Sequence, residues 1–221
     1  MQPNRDAFRL VLAGILATVT LALAAQSSSR QKVDALKRAD AAFRAGYAAQ
    51  QAGNLELARA RFAEAARLAP QIPEAHEALG TVLIQLGKPA EAVQELEAAL
   101  KLKPGNQGIE TNLALAQVKA DEPAKAIAHF SAAFKTSQQA GQQPVDAVFC
   151  ETYAYALAAA GKKIQAIDMF QLAADRGGGK PDVFDAIGSL YAQLGKWDEA
   201  RAQFERIRPL NIDRIKREDY V

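Results

Sequence analysis

Small and large apolar residues return along this chain at a fixed interval. Gly53, Gly87 and Asp121 stand 34 residues apart, as do Gly161 and Gly195, and the step from Asp121 to Gly161 is 40. In register with these positions, alanine recurs as Ala58, Ala92, Ala126, Ala166 and Ala200. Four residues later comes a large apolar side chain: Phe62, Leu96, Phe130, Phe170 and Phe204. Three further on lie Ala65, Ala99, Ala133, Ala173 and Ile207. Ahead of each turn sits a small residue, Gly46, Gly80, Ala114, Ala154 or Gly188. Steps of three, four and seven put side chains on one stripe of an α-helix. Each interval therefore predicts two helices around a turn, with glycine supplying the left-handed residue that ends the first. The units are 39–72, 73–106, 107–146, 147–180 and 181–214, within an array over 39–210.

Tertiary packing is implied by the same slots. Two antiparallel helices come close only where side chains are small, and the Phe/Leu slot fills the gap to the next unit. No unit buries its apolar face alone, so neighbours stack into one continuous core. Composition agrees: alanine and leucine dominate, both inexpensive in helices, and runs of β-branched residues that would mark strands are absent outside the N-terminal segment. Val33, Leu36, Ala39 and Phe43 share a face, so a lead-in helix over 26–38 runs into the first unit. Pro209 is expected to end the fifth unit. A short cap or tail over 211–221 follows, with Asn211 starting a turn and Ile212 and Ile215 covering the last apolar face. A cap this short leaves that face open to a partner or to another copy.

Residues 1–25 read as an address. Arg5 and Arg9 precede an uncharged stretch, Leu10 to Ala25, and Ala22-Leu23-Ala24 offers a small-x-small cleavage pattern. The alternative is an uncleaved anchor. Sixteen helical residues span about 24 Å, short of the ~30 Å hydrocarbon core. Under the first reading the chain is exported and periplasmic or secreted. Under the second it is held to the membrane through residues 10–25, with the array outside the cytoplasm.

Charge narrows the partners. Lys plus Arg is 27 and Asp plus Glu 25, for a net charge of +2, with both signs mixed along the chain. No basic run interleaves with aromatics, which speaks against a nucleic-acid partner. The single cysteine, Cys150, permits no intrachain disulfide.

The five in-phase units resemble the tetratricopeptide-repeat family, a helix–turn–helix of 34 residues with small, small, aromatic and proline slots. Pro70 and Pro104 close the first two units; the third and fourth lack that proline. The early aromatic slot holds Ala42, His76, Glu110, Cys150 and Phe184, so only the last fits the family pattern. The resemblance implies an all-α fold: an α-solenoid of about five repeats, wound as a right-handed superhelix, preceded here by the N-terminal apolar helix. It also implies that the first helices line a concave groove. The family's groove positions fall on Phe43, Tyr47 and Gln50, then Glu77, Thr81 and Ile84, then Thr111 and Leu115. In the last two units they fall on Glu151 and Tyr155, then Asp182, Asp185 and Ser189. The family's Lys/Asn clamp for a C-terminal carboxylate is absent. The groove implied is apolar with acidic flecks, suited to a peptide with apolar anchors and some positive charge.

Candidate chemistry is sparse, and no cofactor or catalytic residue is assigned. His76 and His129 have no second ligand at helical spacing, so no metal site is expected. His76 reads as a filler of the aromatic slot and Cys150 as a buried structural thiol. Gly177 to Lys180 lacks the glycine spacing and the Ser/Thr of a phosphate loop and reads as a hinge. The expected function is a non-catalytic adaptor of the cell envelope; the alternative is a structural module that self-associates through its C-terminal face.

Overall fold

In the computed structural model the chain is described over residues 5–139, 144–177 and 179–218, with side chains described for these except 5–25, 27, 28 and 208–218. The described residues form ten α-helices and no strand. They are α1 (Arg5–Gln51), α2 (Leu55–Leu68), α3 (Pro73–Gln85), α4 (Pro89–Leu102) and α5 (Gln107–Lys119). Then come α6 (Pro123–Ser137), α7 (Ala147–Ala159), α8 (Lys163–Gly177), α9 (Pro181–Gln193) and α10 (Trp197–Glu218). They divide into two compact units, Met1–Ala75 and His76–Val221.

Each helical pair folds back across the turn that the 34-residue interval marks. Gly53, Gly87, Gly161 and Gly195 all have φ between +70° and +75°, and Asp121 has φ +61°. A left-handed residue reverses the chain and returns its carbonyl partners to the helix it ends. Asp121 holds that conformation with a Cβ, which only short polar residues tolerate at modest cost. The following helices start on side-chain caps or on proline. Asn54, Asn106 and Asp146 accept from the backbone N–H three residues on, at 3.1, 3.0 and 2.8 Å. Pro89, Pro123 and Pro181 open α4, α6 and α9, where a missing N–H costs nothing.

In the first unit α1 packs on α2. The backbone of α1 is helical without a break from Arg5 to Gln51, so lead-in and first repeat helix are one element. The leader or anchor reading of residues 1–25 falls on side chains outside the described set. Among the described residues no helix is long and apolar enough to cross a membrane. A Cβ on Gly46 would stand 2.7 Å from the Phe62 ring, so glycine sets how closely α1 and α2 approach.

In the second unit the pairs α3/α4, α5/α6, α7/α8 and α9/α10 follow one another, with α4 on α5, α6 on α7 and α8 on α9. The contact rule repeats: Gly80 lies against Leu96 and Gly188 against Phe204, each leaving only 2.6 Å for an added Cβ. Ala58, Ala92, Ala126, Ala166 and Ala200 are all buried to 2% exposure or less. Phe130 of α6 shows how one pair meets the next: Phe149 of α7 meets it edge-on at 5.3 Å and Tyr153 stacks on it at 5.2 Å.

One expectation is corrected. α10 continues through Pro209 to Glu218, so proline does not end the fifth unit. A proline removes one backbone hydrogen bond from a helix and crowds the preceding turn, a local penalty that need not stop the residues beyond it. The side chains of the expected cap, Asn211, Ile212 and Ile215, lie outside the described residues.

Candidate functional site

Helix periodicity decides which side chains the first helices leave accessible. Positions on the stripe facing the second helix are buried, and those a third of a turn away are not. None of the groove residues named from the sequence is in the core. Tyr47, Tyr155 and Asp185 are exposed; Phe43, Gln50, Glu77, Thr81, Ile84, Thr111, Leu115, Glu151 and Ser189 are half-buried. Two of them are turned inward to their own helix: the hydroxyl of Thr81 donates to the Glu77 carbonyl at 2.9 Å, and that of Thr111 to the Gln107 carbonyl at 2.8 Å. Their hydroxyl protons are thereby committed, leaving methyl groups and an oxygen lone pair for any ligand.

In the first unit Phe43 lines an apolar cavity of about 370 Å³ together with Leu36, Ala39, Ala65, Ala69 and Ile72. Asp40 and Glu74 stand at its edge. The Phe43 ring leans on Phe62 with centroids 5.4 Å apart, which fixes that wall. The lead-in residue Leu36 completes the cavity; no repeat slot signals a pocket there, because its walls come from both ends of a helical hairpin. Tyr47 lies one turn beyond Phe43 on α1 and is 55% exposed.

In the second unit three of the sequence-named residues, Glu151, Asp182 and Asp185, border Tyr155. Its ring meets Phe170 edge-on at 4.9 Å, which holds it upright on α7, and it is 46% exposed. Partial burial holds the Tyr155 phenol above its ordinary value, and the carboxylates of Glu151, Asp182 and Asp185 push the same way. Glu151 and Tyr155 are one turn apart on α7, and Asp182 and Asp185 lie on the first turns of α9. Lys180 reaches Glu151 at 3.5 Å. The arrangement is an upright aromatic face bordered by negative charge, which attracts a cation electrostatically.

Two buried features escaped sequence reasoning. His76 is more than a filler: its Nδ1 lies 2.7 Å from Glu95 Oε2, tying α3 to α4. One repeat later His129 Nδ1 lies 2.5 Å from Glu110 Oε2, tying α6 to α5. The two pairs occupy the same two slots with the residues exchanged, since 110 follows 76 and 129 follows 95 by 34. That doubled spacing was the signal available in the sequence. The other feature is Gln117, buried, with its Oε1 unpartnered. Its counterparts one repeat either side are Leu83 and Leu157.

Cys150 is fully buried and unbridged. Burial raises its thiol above the usual value, against the opposing pull of the Arg176 guanidinium. Arg176 itself donates to the Val145 carbonyl, closing the loop before α7. Among the described residues no three His, Cys, Asp or Glu side chains converge as a metal cluster would require.

Several solved structures share this fold. That of MamA has a TM-score of 0.72 at 19% identity, covering 81% of this chain and 95% of that one. YrrB, described as a TPR protein with an unusual peptide-binding site, has a TM-score of 0.69 at 20% identity, covering 79% and 87%. PilF of Pseudomonas aeruginosa has a TM-score of 0.60 at 20% identity, covering 78% and 76%. Identities this low speak to fold alone. No curated protein sequence matches the chain. Two tetratricopeptide-repeat profiles match residues 43–107 and 83–144. Those matches span the same slots that pack Gly46 on Phe62 and Gly80 on Leu96, and residues 43–144 are repeats of the tetratricopeptide family.

Proposed function

We propose that this chain is a non-catalytic adaptor of the cell envelope that holds a peptide segment of another protein, with apolar anchors and positive charge. The observation that carries the reading is Tyr155: a half-exposed ring, braced by Phe170 and bordered by Glu151, Asp182 and Asp185. A Lys or Arg over such a ring gains about 0.5–2 kcal/mol, and the carboxylates add attraction that weakens with salt. In the first unit the cavity beside Phe43 has the size and lining to take one large apolar side chain. An adaptor needs no reacting groups, and the polar side chains brought together here serve packing or charge. Placement in the envelope rests on residues 1–25 alone, read as a leader or an anchor.

The test is binding of the chain to arrays of short synthetic peptides that combine one aromatic or leucine residue with lysine, arginine or glutamate. Basic peptides are expected to bind, and Tyr155→Ala to weaken them about tenfold, or 1.4 kcal/mol. Tyr47→Ala tests the first unit in the same way. Binding indifferent to peptide charge and to Tyr155 would refute the proposal. Mass spectrometry of the mature N-terminus separates leader from anchor: a start at Ala25 supports export with cleavage.

A further inference from the structure

The fifth repeat exposes a surface that the other four cover. The large apolar slot is at 0–1% exposure in Phe62, Leu96, Phe130 and Phe170, but Phe204 is 40% exposed. In the second unit the cover is visible: Phe149 and Tyr153 of α7 close over Phe130. The corresponding side of α10 lacks such a cover among the described residues. It displays Trp197, 67% exposed, beside Phe204, with Ala200 and Ile207 forming the floor. Arg201 and Glu205 border the same groove.

We propose that this face of α10 is a two-fold docking surface for a second copy of this chain, packed antiparallel. Charge at the groove's border selects that partner. Arg201 and Glu205 are four residues apart on one helix, and both are exposed. Neither makes an ion pair among the described residues, although i,i+4 neighbours are within reach. The order explains this: a base N-terminal to an acid is the weaker orientation for such a pair within a helix. Across a two-fold axis the same order is complementary. Residue i meets residue j and j meets i in an isologous contact. An axis level with residue 203 sets Arg201 of each copy opposite Glu205 of the other. It brings the two Phe204 rings to the centre and lays each Trp197 along the other helix, about 9 Å from the axis at 1.5 Å per residue. The apolar groove then acquires the cover that α7 gives Phe130, with both charges paired at its border. A contact carried by one helix per copy lies at the small end of specific interfaces, so the dimer is weak, in the micromolar range. The peptide-binding surface at Tyr155 plays no part in it.

The experiment uses the full chain and three readouts. Sedimentation equilibrium across about 1–100 µM is expected to show monomer passing to dimer. Trp197 is the only tryptophan, so its emission is expected to shift to the blue over the same range as the groove closes. Arg201→Glu and Glu205→Arg are each expected to weaken dimerisation by at least about tenfold, because each places like charges opposite one another twice. Mixing the two variants is expected to restore association as a heterodimer, since one copy then carries two acids and its mate two bases. Circular dichroism checks that both exposed substitutions leave the helices intact. A chain that stays monomeric throughout overturns the proposal. So does association that ignores both reversals, as binding through another segment would, or a mixture no tighter than its components.

Discussion

Gly80 offers the sharpest test of how this array is built. Alanine in place of glycine inside a helix ordinarily stabilises by about 1 kcal/mol. Here the added Cβ would stand 2.6 Å from Leu96 Cγ and 3.0 and 3.2 Å from its two methyl groups. Comfortable carbon contacts begin near 3.5 Å, and Leu96 is fully buried, with no free space to retreat into. Overpacking of this kind costs about 1–3 kcal/mol, so Gly80→Ala is expected to destabilise by roughly 1 kcal/mol net. Leu96→Ala alone should cost about 2–5 kcal/mol through the cavity it opens. In the Leu96→Ala background the sign of Gly80→Ala reverses. The methyl enters vacated space and the helix-propensity gain stands alone, giving a stabilisation of about 1 kcal/mol. The coupling between the two sites is then about 2 kcal/mol. Urea unfolding of the four chains, followed by helical ellipticity, measures it. The slope against urea must be compared as well, because repeats that uncouple change it. Additivity within about 0.5 kcal/mol would show that Gly80 is not there to admit Leu96.

Three further outcomes follow from buried groups. His129→Ala strands Glu110, which is only 8% exposed, and should cost about 1–3 kcal/mol; His76→Ala should cost less, because water reaches the more open Glu95. Exchanging the pair, Glu110→His with His129→Glu, copies the order of the preceding repeat and should recover most of the loss in the same unfolding assay. Gln117→Leu removes an unpartnered amide oxygen and matches Leu83 and Leu157, so a stabilisation of about 1 kcal/mol is expected; a lower urea midpoint would reveal a partner for that amide. Burial raises both Cys150 and Tyr153 above their ordinary values of 9.0 and 10.0. A raised folded-state value gives a contribution that is complete below the unfolded value and is lost as pH climbs through the folded one. Melting temperature should therefore fall from about pH 9 upward. Cys150→Ala should make that fall shallower; an unchanged profile would remove the thiol from the account.

Much of the fold was legible because the repeat constrains short-range geometry. A left-handed residue at 53, 87, 121, 161 and 195 can be read from composition and interval, and Asp121 keeps the conformation without glycine. The alanine slots announce a close helix contact because nothing larger fits between two backbones. The border at Tyr155 was legible in part. Family positions named Glu151, Tyr155, Asp182 and Asp185, but a linear pattern does not say that four groups on two helices share one space.

The sequence by itself determined the elements and their pairing, since helix stripes, turns and caps depend on neighbours within a few residues. Only the tertiary structure decided which polar groups met. His76 with Glu95, His129 with Glu110 and the acids at Tyr155 lie on different helices, and their approach is set by the glycine and alanine contacts that fix how closely those helices pack. It alone decided, too, that α10 runs on past Pro209, because one lost hydrogen bond is a local cost that the backbone on either side of it can bear.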